Sequence, residues 1–153
     1  MSNDQITFTP SPELVGDLVT LAWSTFVGTE VFQVEPFALE GEIVCSSISI
    51  GGPWSATVLL FCHRELADRC ASTVLGLEPT ELAEEDVHDI MGELANIIGG
   101  NLKGIVSDPD HTWTLSLPVV SNGMQTVPGS RLVTDLLVLC DGAPLGCHVR
   151  EHA

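Results

Sequence analysis

Basic residues are scarce in this chain. Five Lys and Arg stand against 21 Asp and Glu in 153 residues, a formal net charge of −16. Nucleic acids and anionic membrane surfaces are bound through clustered Lys and Arg, so the composition excludes both as partners. It permits a partner that offers a positive group in a cleft, and it also serves solubility. Long apolar runs are missing too. Stretches such as Ala56 to Cys62 are far too short to cross a bilayer. The opening Met-Ser-Asn-Asp-Gln has neither the basic segment nor the apolar run of a secretory signal, which points to the cytoplasm.

No CxxC pair occurs, and the five cysteines (Cys45, Cys62, Cys70, Cys140 and Cys147) are an odd count. Neither a disulfide framework nor a zinc ribbon follows, and small buried hydrophobes in a reducing compartment are expected. Cys147-His148 with His152 is read as ordinary packing in a last strand and tail, not as a metal site. There is no phosphate loop, basic pocket or aromatic cluster. Trp23, Trp54 and Trp113 are expected in the core or on the sheet surface.

What is present is enough to fold. Apolar residues make up 44% of the chain and mean hydropathy is +0.31, so one domain with a real core is expected over residues 1–153. Ser11-Pro12-Glu13 starts a helix, with Ser as cap, Pro in the first turn and an acid at the positive end of the dipole. Leu14, Leu18, Leu21 and Phe26 continue it at helical spacing, and Gly28 stops it. Val31 to Phe37 reads as a strand. Glu42 to Ile50 and Trp54 to Cys62 read as a hairpin about Gly51-Gly52-Pro53. His63 to Leu75 is a helix ended by Gly76, and Thr80 to Glu84 opens another that runs to about Val106. Thr112 to Leu117 alternates as a strand, followed by a turn at Ser121-Asn122-Gly123. Leu132 to Cys140 and Leu145 to Arg150 are two further strands about Asp141-Gly142. This order predicts an α+β domain, a largely antiparallel β-sheet packed by two long helices.

The chemistry sits in the segment from Asp86 to Val106. Val87, Ile90, Leu94, Ile97, Ile98 and Ile105 fall on one broad face, which should pack on the sheet. Asp89, Glu93 and Asn96, at i, i+4 and i+7, form a stripe on the opposite side, with Gly100 one turn beyond. Paired Gly99 and Gly100 inside a helix cost about 1 kcal/mol each relative to Ala. They make sense where another backbone approaches closely, either the sheet below or a partner above.

Asp89, then Glu93, then Asn96, then 21 residues and Pro118 match the pattern that marks the CheC, CheX and FliY phosphatases of bacterial chemotaxis. Such a match arises by chance on the order of once in a thousand chains this size. The surrounding GELANIIGGNLKG and PVVSNG also resemble that family, specifically from about Glu84 to Gly123, and the single copy of the motif resembles CheX. The resemblance implies a CheC/CheX-like fold and a phosphatase acting on the aspartyl phosphate of a CheY-like response-regulator receiver. Glu93 and Asn96 would be the catalytic pair, Asn96 orienting the attacking water and Glu93 docking on the receiver's lysine. Asp89, Gly99, Gly100 and Pro118 would support the motif or the partner contact. It further implies a homodimer with sheets joined at their edges, Mg²⁺ held by the receiver, and no metal or cofactor on this chain. The alternative is a non-catalytic adaptor of the same fold that binds receivers or flagellar-switch components.

Overall fold

The structure is a computed structural model and describes residues 5–153. Among these residues three helices and seven strands are formed: α1 (Pro12–Phe26), β1 (Val31–Val34), β2 (Ile43–Gly51), β3 (Ala56–His63), α2 (Arg64–Leu75), α3 (Glu84–Val106), β4 (Thr114–Leu115), β5 (Val119–Asn122), β6 (Ser130–Cys140) and β7 (Ala143–His152). The strands make a single sheet in the order β1-β6-β7-β3-β2-β4, with β5 also on β2, and every pairing is antiparallel.

Local chemistry accounts for most element ends. The Ser11 hydroxyl accepts a hydrogen bond from the Leu14 N–H at 3.1 Å and caps α1. Gly76 ends α2 in the left-handed conformation at φ +67°. Asp141 (φ 52°) and Gly142 (φ 80°) make the two-residue turn between β6 and β7. Three expectations are corrected. Pro79–Glu81 forms a separate 3-10 turn, and α3 begins only at Glu84, where the Ala83 N–H donates to Asp86 Oδ2. The predicted strand over 112–117 shrinks to Thr114–Leu115. Ser121 and Asn122, expected in a turn, belong to β5 and pair with β2. Pro118 separates β4 from β5 because it has no N–H to give the ladder.

All three helices share one face of the sheet. Alternate positions of the central strands, Val44, Ile48, Ile50, Val58, Leu60, Leu136, Val138, Cys147 and Val149, join Leu18 and Trp23 of α1, Leu66 and Cys70 of α2, and Val87, Leu94 and Ile98 of α3 in one buried cluster. Two helical positions depart from the expected packing: Leu21 and Ile105 are exposed. The other face carries a smaller cluster of Ile43, Cys45, Leu59 and Phe61, partly covered by Leu39 and Val127. Gly146 of β7 leaves room for the Phe61 ring, whose atoms would lie 2.3 Å from a Cβ there.

The five cysteines are all free and buried. Burial pushes the Cys70, Cys140 and Cys147 thiols up to about 12, and Cys62 higher still. Cys147 faces the helices while His148 faces the opposite side of the sheet, in ring contact with Phe61 at 4.8 Å, so the two are not convergent ligands.

Candidate functional site

Helix α3 is fixed at both ends before its middle is free to present anything. Glu84, Glu85 and Asp86 occupy the first turn and Lys103 the last, each favourable to the helix dipole. Glu84 is also a three-way tether. Arg64, at the start of α2, grips it with both terminal nitrogens (3.0 and 2.7 Å), Asn122 of β5 donates to it at 3.1 Å, and His88 lies 3.1 Å away one turn along. Hydrogen bonding from Arg64, then from Asn122, holds the Glu84 carboxyl down at about 2.

The pH consequence follows from that sign. A carboxyl lower in the folded chain than in the unfolded one stabilises fully above the ordinary carboxylate value and loses the effect as pH falls toward 2. Urea melts of wild type and Glu84→Gln should therefore differ at pH 7, with wild type the more stable, and should converge between pH 4 and pH 2.5. A gap of equal size at both ends would remove the tether from the account.

Along the outer stripe of α3, Asp89 and Glu93 are exposed and Asn96 is half-buried. No hydrogen bond or ion pair joins any of these three side chains to the rest of the described chain. The contrast with Glu84 and Asp86 on the same helix is direct, because those carboxylates are occupied within the fold. The stripe is left with its hydrogen-bonding capacity pointing outward.

The glycines show what surrounds the stripe. A Cβ at Gly99 would lie 2.4 Å from Ile48 Cγ2, so this glycine seats α3 on β2. Gly100 is looser, its nearest neighbour being Leu115 Cδ2 at 3.8 Å. Of the two approaches open to the pair, Gly99 serves the sheet. Sequence reasoning missed Gly92, the residue before Glu93. A Cβ there would stand 3.3 Å from Pro118 Cγ and 3.4 Å from Val120 Cγ2. Pro118 is thus packed against the helix directly beside the Glu93 position, besides breaking the sheet edge. The spacing of Gly92 from Gly99, two turns along one flank, was the available signal.

Chain segment 115–120 consequently runs antiparallel to α3, with Leu115 beside Gly99 and Gly100, and Pro118 and Val120 beside Gly92. Asn96 lies one turn from each end of this contact, which accounts for its half-burial. An apolar cavity of about 410 Å³ opens elsewhere, on the far face of the sheet between Phe37, Leu39, Phe61, Leu137 and His148. It does not touch the stripe. A site that works by presenting side chains to another macromolecule needs no cavity of its own.

A three-helix layer on one face of an antiparallel sheet, with this motif on the longest helix, is the architecture of the CheC/CheX-like domains. Residues 44–131 match the family described as Chemotaxis phosphatase CheX, a span that contains all of α3 and Pro118, and the chain belongs to that family. The structure is similar to CheX from Desulfovibrio desulfuricans (TM-score 0.72, 17% identity, covering 90% of this chain and 96% of that one). It is also similar to CheX from Vibrio vulnificus (TM-score 0.72, 19% identity, 90% and 93%). A third likeness is to a complex of CheX with CheY, BeF₃ and Mg²⁺ from Borrelia burgdorferi (TM-score 0.70, 18% identity, 92% and 97%). At these identities the structures establish the fold. No curated protein matches the chain. No helix among the described residues is long and apolar enough to cross a membrane.

Proposed function

We propose that this chain is a phosphatase for the aspartyl phosphate of a CheY-like receiver, with Glu93 and Asn96 as the residues that act. The observation that carries this reading is the unpartnered pair itself. A carboxylate and a carboxamide, one helical turn apart, are presented outward on a helix whose Glu84 and Asp86 carboxylates are engaged within the fold. The solved CheX–CheY–BeF₃–Mg²⁺ complex of Borrelia burgdorferi supports a receiver as the partner class.

The division of labour follows from what each side brings. The receiver supplies the phospho-aspartate, Mg²⁺ and a lysine, so this chain needs neither a nucleophile nor a metal. It places a water in line with phosphorus, and phosphoryl transfer responds mainly to positioning and electrostatics. Asn96 accepts a hydrogen bond from that water through its amide oxygen, while its NH₂ donates nearby. Glu93 pairs with the receiver's lysine and fixes the docking register. As the water oxygen bonds to phosphorus, the acyl phosphate P–O bond breaks. The receiver's carboxylate is restored and inorganic phosphate leaves with the water's protons. Asp89 borders the pair as a rim group, and Gly99, Gly100 and Pro118 set the height and flank of the helix. The same reading makes residues 1–153 one domain, places it in the cytoplasm with its receiver, and joins two copies through sheet edges.

The test is a decay measurement. A phosphorylated receiver with Mg²⁺ should lose phosphate faster when this protein is added, and Glu93→Ala should lower kcat/KM about tenfold or more by removing a charge-assisted contact. Unchanged decay across a panel of CheY-like receivers would leave an adaptor in place of an enzyme.

A further inference from the structure

Resting on that receiver reading, we infer that Leu117, with Val119 beside it, is the apolar half of the docking surface and sets affinity for the receiver. Leu117 is 86% exposed and Val119 60% exposed, and Leu117 is the more exposed of these two large apolar side chains. Its position is fixed by its neighbours. Leu115 touches α3 at Gly99 and Gly100, and Pro118 touches it at Gly92. Gly92 to Gly100 spans about 12 Å at ~1.5 Å per helical residue. Leu115 to Pro118 spans about 10 Å at ~3.3 Å per extended residue. The two stretches run side by side over matching lengths, so Leu117 stands level with the turn from Glu93 to Asn96.

Charge makes such a contact necessary. Helix α3 carries Glu85, Asp86, Asp89 and Glu93, and the whole chain is at −16. A receiver's active site also gathers carboxylates, because they are what hold its Mg²⁺. The lysine contact fixes register, but two acidic surfaces repel at longer range. Affinity then has to come from a term indifferent to charge, and an exposed leucine and valine on the rim of the site supply it by leaving water. The interruption at Pro118 serves the same end. It leaves the sheet edge without a continuous row of hydrogen-bond donors, which favours a side-chain contact over addition of a further strand.

The experiment measures binding and turnover separately. Affinity of the protein for a CheY-like receiver loaded with beryllofluoride and Mg²⁺ should fall about tenfold in Leu117→Ala and further in Leu117→Asp. In turnover with the phosphorylated receiver, Leu117→Ala should raise KM by the same factor and leave kcat within about twofold. Leu21→Ala, at another exposed leucine (57%) on α1, should match wild type in both. Because Leu117 makes so little contact with its own chain, the thermal melts of its variants should overlay wild type. Equal receiver affinity in wild type, Leu117→Ala and Leu117→Asp overturns the inference. So does a change of oligomeric state in Leu117→Asp without a change in receiver affinity, which would assign the edge to a second copy. If wild type binds the loaded receiver but does not speed hydrolysis, the phosphatase reading fails while the affinity comparison still decides the role of Leu117.

Discussion

Asn96→Ala should slow receiver dephosphorylation by about a hundredfold while the protein stays folded. The magnitude corresponds to about 2.7 kcal/mol of transition-state positioning, the ordinary yield of one well-placed orienting group. The expectation of an intact fold comes from the structure, since the Asn96 side chain is half-buried and bonded to nothing in the described chain. Alanine is moreover the better helix former, so α3 gains local stability as it loses function. Rate and stability should therefore move in opposite directions, a combination that accidental damage does not produce. The assay follows phosphate loss from the receiver at saturating protein, alongside a thermal melt. If Asn96→Ala retains wild-type acceleration, the water is held by some other group and the assignment falls.

Gly99→Val should lower the melting temperature by roughly 5–10 °C, from about 2–3 kcal/mol of overpacking. The added Cβ would meet Ile48 Cγ2 at 2.4 Å, and Ile48 is fully buried in β2 with a stiff, branched side chain. The only relief is for α3 to rise from the sheet, carrying the Glu93–Asn96 turn away from segment 115–120. Activity should fall with stability in this variant, unlike Asn96→Ala. Gly104→Ala supplies the contrast on the same helix. Nothing lies within 4 Å of a Cβ there and the residue is exposed, so alanine should stabilise by about 0.5–1 kcal/mol. Melts of the two variants read together separate steric contact from helix propensity. Equal melting temperatures would mean that Gly99 does not set the height of the helix.

Much of this architecture was legible in the sequence because its signals are local. Ser11-Pro12, Gly76 and Asp141-Gly142 each act within a few residues, and they mark a helix start, a helix end and a hairpin turn in the structure. The outward stripe of α3 was likewise legible from spacing alone. The parts that were missed depend on distant chain segments. Ser121 and Asn122 look like turn formers, yet pairing with Cys45 and Val44 of β2 draws them into a strand. Ile105 has a helical residue's apolar pattern, but in the last turn of α3 it is Val106 that packs against the core, and Ile105 remains exposed. Gly92 offered only its two-turn spacing from Gly99, because its importance comes from Pro118 and Val120, more than twenty residues further on. The Glu84 tether draws on α2, α3 and β5 at once, and no sequence window contains all three. Short-range chemistry writes its signs beside the elements it controls, whereas the flank of the site is written by tertiary contact.

The five buried thiols have a use beyond filling the core. A thiol raised by burial and shut away from solvent is almost inert to alkylation at neutral pH, so labelling can proceed only through moments when the surrounding structure opens. Cys70 reports from α2, Cys45 from β2, Cys62 from β3, and Cys140 and Cys147 from the β6–β7 hairpin. The protein thus carries a native stopwatch in each of these elements, and mass spectrometry of slowly modified samples would rank their opening rates without a single engineered probe.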